Sequence, residues 1–168
     1  SADGVTKYRL TNFATGSARA PRWSPDGDLI GFIYAPSANN DTFWMIGNAQ
    51  GAIPTQLSFM WNLTLDHTWL PDSSAMLAAV RDFRGMSENR LWRIPLVGNA
   101  DESAVLHGAD EGRSHSDYPR FSADGRWLAF RSTYALAVFD SQTGQVVTLE
   151  PEHPGNTPPV WSPPAFAG

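Results

Sequence analysis

The chain has 168 residues, 42% of them hydrophobic, enough for one domain with a sizeable core. Its formal net charge of -5, with 12 Lys and Arg scattered along the sequence, argues against nucleic acid as a partner, and the absence of cysteine removes disulfides, thiolate metal sites and cysteine nucleophiles. Fourteen Gly, 13 Pro and seven Trp favour short aromatic-bearing strands joined by many turns, and no apolar run approaches the ~20 residues that span a bilayer. The opening Ser1-Ala2-Asp3-Gly4 is polar, as in a mature chain after signal removal or in an internal excerpt.

Val5 to Leu10 reads as an outer strand that closes a preceding unit. Pro21 to Ser24 is strand a of the first unit. Pro25-Asp26-Gly27 makes a turn: Pro pre-sets φ, Asp accepts hydrogen bonds from backbone N–H groups just ahead, and Gly tolerates positive φ. Strand b is Leu29 to Tyr34 and strand c is Phe43 to Ile46. Asn48-Ala49-Gln50-Gly51 turns the chain into strand d, which ends at Leu57. A later unit repeats the order with Trp127 to Ser132, Ala135 to Asp140, the turn Ser141-Gln142-Thr143-Gly144, and Gln145 to Leu149. No long stretch carries a helical period.

The unit recurs with a measurable period. Aromatic residues just before the turn stand at Trp23, Trp69, Phe121 and Trp161, at intervals of 46, 52 and 40. A Leu followed by a short polar or charged residue closes each unit at Leu10, Leu57, Leu106 and Leu149, at intervals of 47, 49 and 43. Four short strands in ~40–50 residues is the signature of a β-propeller blade. The motif residues are Trp23, Asp26, Gly27, Trp69, Asp72, Phe121, Asp124, Gly125 and Trp161. Trp23 is expected on the innermost strand with its ring packed between adjacent blades.

Pro21-Arg22-Trp23-Ser24-Pro25-Asp26-Gly27 and Pro119-Arg120-Phe121-Ser122-Ala123-Asp124-Gly125 resemble the TolB-type propeller repeat, also called the PD40 or WD40-like repeat. The second copy departs from it, with His67 in the Pro slot, Leu70 in the Ser slot and Ser73-Ser74 where Gly belongs; the fourth also departs, at Pro164. The resemblance covers nearly the whole chain. It implies an all-β propeller of four-stranded antiparallel blades at about 12–58, 59–107 and 108–150, with partial blades at 1–11 and 151–168. Three full blades fit an excerpt of a larger propeller, an open arc completed by another copy or protein, or a small closed ring. The family includes periplasmic scaffolds, gating propellers of prolyl-oligopeptidase-type serine peptidases, and lyases.

No Gly-x-Ser-x-Gly nucleophile motif is present. His107 and His115, near Asp110, Glu111 and Asp117, form the one titratable cluster, read first as a solvated loop. A lyase would need His67, His107 and His115 to converge. No cofactor is expected. The sequons at Asn40 and Asn62 are read as ordinary loop polar residues. Propellers commonly bind through their d–a and b–c loops: Asn12 to Ala20, Phe59 to Leu65, Gly108 to Asp117, Pro36 to Asp41 and Asp82 to Glu88 here. Candidate binding residues on them are Phe59, Met60 and Trp61 as an apolar patch, Arg84 and Arg113 as interface anchors, and His115. The expected role is a non-enzymatic protein-interaction module, periplasmic or extracellular, without a transmembrane segment in this chain and able to serve as an accessory subunit of a membrane-associated assembly. The rival is the propeller portion of a peptidase, or a lyase.

Overall fold

A computed structural model of the chain describes residues 7–38, 40–58, 62–82, 89–97, 104–107, 116–132, 135–149 and 157–162. Twelve strands appear in chain order: β1 Ser17–Trp23, β2 Leu29–Ala35, β3 Thr42–Gly47, β4 Thr55–Gln56, β5 Asn62–Trp69, β6 Ala75–Asp82, β7 Arg90–Pro95, β8 Ala104–His107, β9 Ser116–Phe121, β10 Trp127–Ser132, β11 Ala135–Asp140 and β12 Val146–Leu149. They form three antiparallel sheets in simple sequence order, β1–β4, β5–β8 and β9–β12. The first strands of the sheets lie side by side, so three blades share one inner edge.

The turn between the first two strands is built alike in each blade. Ser24 Oγ donates to Asp26 and accepts from the Leu29 N–H at 2.9 Å, while Gly27 N–H donates to Ser24 O at 2.9 Å with φ of 80°. Ser122, Asp124 and Gly125 repeat this, with φ of 72° at Gly125. The second blade makes the same turn despite its altered sequence. Ser73 takes the left-handed conformation at φ of 60°, Ser73 N–H donates to Leu70 O, and Ser74 Oγ supplies the hydroxyl to Asp72 at 2.7 Å. Ser73 Oγ also accepts from the Asp26 N–H at 3.2 Å, which ties the turn to the first blade.

The middle blade explains its own sequence. β6 reads Ala75-Met76-Leu77-Ala78-Ala79-Val80, and every one of these residues is buried. A strand covered on both faces has no polar side to show. Met76, Ala78 and Val80 pack with Trp69 and Ile94 against Ile33, Phe43 and Leu57 of the first blade. Leu77, Ala79 and Leu91 pack against Leu128, Phe130 and Ala137 of the third. Small residues let the sheets approach closely. A Cβ on Gly31 would stand 2.1 Å from Met76 Cε, and one on Gly125 would stand 2.6 Å from the Pro71 ring.

Three expectations are corrected. Trp23 is 59% exposed, whereas its counterpart Trp69 is 4% exposed. Each motif aromatic packs backward: Trp69 Nε1 donates to Arg22 O and Trp161 Nε1 to Arg120 O, both at 3.0 Å, and the described residues contain no blade ahead of Trp23 to receive its ring. The first strands also run further than their apolar stretches suggest. Ser17–Ala20, Asn62–Leu65 and Ser116–Asp117 are strand, not loop, because irregularities at Ala20–Pro21, Leu65 and Tyr118–Pro119 carry the ladder past residues that interrupt it. Finally, residues 7–13 are not a strand. Leu10 and Phe13 cover the outer face of the first blade, where Phe13 stacks on Tyr34 at 3.9 Å and meets Trp44 edge-on at 5.2 Å.

Two predictions follow from the turns. Gly27→Ala should cost about 1 kcal/mol, the backbone term alone, since nothing lies near its Cβ position. Gly125→Ala should cost about 2–4 kcal/mol, because the same backbone term adds to overpacking against Pro71. Equal losses in urea melts of the two variants would refute the turn-to-turn contact. Acid should act through the turn carboxylates. Ser24, Ser74 and Ser122 hydroxyls hold Asp26, Asp72 and Asp124 below 3.8, and Arg126 pulls Asp140 down to about 2. Depressed folded values stabilise above pH 3.8, and that stability is lost as pH falls toward 2. The urea midpoint should therefore fall first between pH 6.5 and about 4, where the unfolded chain protonates His67 and the folded chain does not, and fall further from 3.8 toward 2, and Arg126→Gln should flatten part of that lower fall. An unchanged slope in that variant would overturn the assignment to Asp140.

Candidate functional site

The inner edge carries a ladder of buried charge. Arg19 on β1 grips Asp41 with two bonds, of 2.9 and 2.6 Å, and Asp41 accepts the Thr64 N–H of the second blade at 2.9 Å. At the next joint, Asn89 O accepts the Ser116 N–H at 3.0 Å and Asn89 Nδ2 donates to Asp117 at 2.7 Å, while Arg131 donates to the other Asp117 oxygen at 2.5 Å. Asp41 and Asn89 occupy equivalent places, just ahead of the third strand of their blades, and each clasps the following blade's first strand. These groups satisfy backbone donors that a purely apolar joint would leave unpaired.

Between the two clasps and the turns lies a different cluster. Arg22 on β1 and Arg120 on β9 each follow the motif proline, and both reach Asp66 on β5, at 3.1 and 2.6 Å. Asp66 holds this position because His67 replaces proline: the His67 N–H donates to Asp66 Oδ1 at 2.8 Å, a bond that proline cannot make. In the other two blades the residue before the proline, Ala20 or Tyr118, takes a left-handed φ of 53° or 54° instead. The result is one carboxylate shared by two guanidiniums, across three blades. The Arg22 side chain remains 34% exposed and its buried Nε has no partner.

Arg22 also lines a groove of about 450 Å³ along the inner edge. Its walls are Pro21, Trp23 and Pro25 from the first blade, Thr68, Trp69 and Pro71 from the second, and Phe121, Ser122 and Ala123 from the third. The groove opens at the end of the blades that carries the a–b turns. Pro36 to Ala38, from the first blade's b–c loop, lie at the opposite end. Phe59, Met60, Trp61, Arg84, Arg113 and His115 lie outside the described residues, as do Asp110 and Glu111.

His67 does not face the groove as a catalytic base would. Its side chain is fully buried, edge-on to Phe43 at 5.3 Å. Burial, with the Arg22 charge, pushes its pKa down to about 4, and the Asp66 carboxylate offsets only part of this. His67 is therefore a neutral interior group at pH 7, and the side chains of His107 and His115, which a converging set would also need, lie outside the described residues. Among the described residues no three His, Cys, Asp or Glu side chains gather as metal ligands would.

The pairing of Arg22 and Arg120 with Asp66 was hidden in the sequence. The residues are 44 and 54 positions from Asp66, and only the blade register brings them together. The usable signal was the Pro-Arg dipeptide repeated in blades one and three.

No protein-family model matches the sequence, and no curated protein matches it. Solved structures do. TolB from Acinetobacter baumannii aligns with a TM-score of 0.65 at 23% identity, over 84% of this chain and 34% of its own. A TolB candidate from Agrobacterium tumefaciens gives 0.59 at 17%, over 80% and 46%. A puromycin-hydrolyzing peptidase from Mycobacterium tuberculosis gives 0.67 at 17%, over 84% and 23%. The chain spans about a third of the Acinetobacter TolB and under a quarter of the peptidase. Three stacked four-stranded blades, the shared turn and these alignments together make the fold that of a TolB-like β-propeller.

Proposed function

We propose that this chain is a non-enzymatic protein-interaction module, working outside the cytoplasm, that receives a partner in the groove along its inner edge. One observation carries the reading: tryptophan, phenylalanine and proline from three blades converge on an open groove beside a guanidinium, with Trp23 largely exposed at its rim. Aromatic and proline walls with a few oriented polar groups are what extended peptide segments dock against. An extracytoplasmic setting, and service as an accessory subunit of a membrane-associated assembly, follow from the TolB-like fold by analogy. No helix among the described residues is long and apolar enough to cross a membrane.

A second reading has its own support. The likeness to the puromycin-hydrolyzing peptidase, and to prolyl endopeptidases at 16% identity, fits the propeller portion of a serine peptidase. In that case the source gene encodes a Gly-x-Ser-x-Gly domain joined to this one, and the native protein cleaves prolyl amides.

A photoreactive benzoylphenylalanine placed at Pro25, on the groove, should give one discrete protein adduct on irradiation in the source organism. The same probe at Ala38, on the exposed b–c loop at the far end, should give none. Trp23→Ala should weaken the Pro25 adduct without lowering the melting temperature appreciably, since its ring is mostly in solvent. Adducts from Ala38 alone would move the contact face to the opposite end, and hydrolysis of prolyl amides by the native protein would favour the peptidase.

A further inference from the structure

We propose that the Arg22–Asp66–Arg120 cluster is a receptor for a carboxylate side chain, presented by an extended acidic segment of a partner protein lying in the adjoining groove. The inference rests on the groove reading above and adds the chemistry of what enters it. Charge is the first argument. Arg19 faces Asp41 and Arg126 faces Asp140 as single pairs. Here two guanidiniums converge on one carboxylate, so the cluster holds one net positive charge. Its members are largely withdrawn from water: the Asp66 side chain is 8% exposed and that of Arg120 19%. Reduced solvation strengthens the pull of that surplus on an anion.

Donor count is the second argument. A guanidinium presents five N–H donors in a planar fork. Arg22 spends Nη2 on a long 3.1 Å bond to Asp66, and its Nε has no acceptor. Arg120 holds Asp66 far more tightly, at 2.6 Å, and adds a bond to Pro119 O. Asp66 is thus committed to Arg120, and Arg22, with its side chain 34% exposed, is the arm whose outer end an incoming carboxylate can reach.

Shape supplies the third argument. Arg22 is both a member of the cluster and a wall of the groove. An extended segment with its apolar or proline residues against Trp23, Pro25 and Pro71 brings a neighbouring acidic side chain within reach of Arg22. The chain as a whole carries -5, so nothing draws an acidic partner from afar. Recognition is local and depends on the bidentate pair rather than on long-range steering.

The test uses the 168-residue protein and two capped peptides, acetyl-APEPLA-amide and acetyl-APQPLA-amide, titrated by calorimetry with tryptophan fluorescence in parallel. The glutamate peptide should bind about tenfold more tightly than its glutamine twin, the gain expected of one charge-assisted pair. Arg22→Gln should bring the two to equal affinity. The Arg22 Nε–H resonance of the wild-type protein should shift with the glutamate peptide only, a readout that needs no variant to fold. Equal binding of the two peptides, or no binding of either at about 1 mM, would overturn the proposal. So would inorganic phosphate or acetate shifting the same resonance as strongly as the peptide, which would mark a free-anion site. A Pro25 photoadduct together with equal peptide affinities would leave the groove reading standing and remove only the carboxylate.

Discussion

A four-stranded blade has two apolar faces, and neither can be left in water at the size of this sheet. The third strand and second strand of each blade present Ile, Leu, Phe and Val to both sides, so a blade is stable only between neighbours. Everything else in the structure serves that stacking. Alanines at 75, 78 and 79 thin the middle blade to let both neighbours approach. Gly31 and Gly125 vacate the places where a side chain would strike Met76 or Pro71. Burying side chains of this kind stabilises by about 1.5–3 kcal/mol each, against about 1–2 kcal/mol of backbone entropy per ordered residue, so the joints have little to spare. The first blade meets the same demand in another way: its outer face is covered by Leu10 and Phe13 from the segment that leads into it.

Apolar stacking alone leaves the blades free to slide, and the polar groups of the inner edge remove that freedom. Asp41, through its carboxylate, and Asn89, through its backbone C=O, each accept a backbone N–H of the next first strand. Trp69 and Trp161 bond near the turns, donating to the carbonyls of Arg22 and Arg120. At the joint of the first and second blades the two pins stand one at each end of the strand and set the register. Buried ion pairs add little net stability by themselves. Their effect here is positional: a shifted blade would strand a carboxylate and an N–H together, and each unsatisfied buried group costs about 1–3 kcal/mol.

Local chemistry was legible in the sequence and long-range geometry was not. The turn residues announced themselves, and β10 and β11 begin and end where turn and strand propensities said they would, at Trp127–Ser132 and Ala135–Asp140. The second blade's turn formed although its glycine is replaced, because Ser73 accepts a left-handed φ and Ser74 provides the missing hydroxyl. The first strands were misjudged at their starts, since a strand with an irregularity at Ala20–Pro21 or Tyr118–Pro119 shows no period-two pattern across the break. Trp23, Trp69 and Phe121 each end the first strand of their blade, but the direction in which such rings pack is a property of the stack. Only the stack shows that Trp69 and Trp161 lean backward and that Trp23 therefore faces solvent. The groove stayed hidden for the same reason: its walls come from turns about 50 residues apart.

The substitution of His67 for proline links the fold to the site. A proline there would give the preceding residue the strained left-handed conformation seen at Ala20 and Tyr118. Histidine restores an N–H, and that N–H fixes the carboxylate of Asp66 between the two arginines. The imidazole itself fills space against Phe43 and stays neutral. The departure of the second repeat from its neighbours is thus not decay of the motif. Without the Asp66 carboxylate, two guanidiniums from the first and third blades would stand unscreened on either side of the second blade's inner edge; with it they are held together, one bound firmly and one loosely. An exact threefold repeat would have carried three arginines and no acid between them. The irregular middle blade is what places one carboxylate between two guanidiniums at the inner edge while its neighbours keep the regular turn.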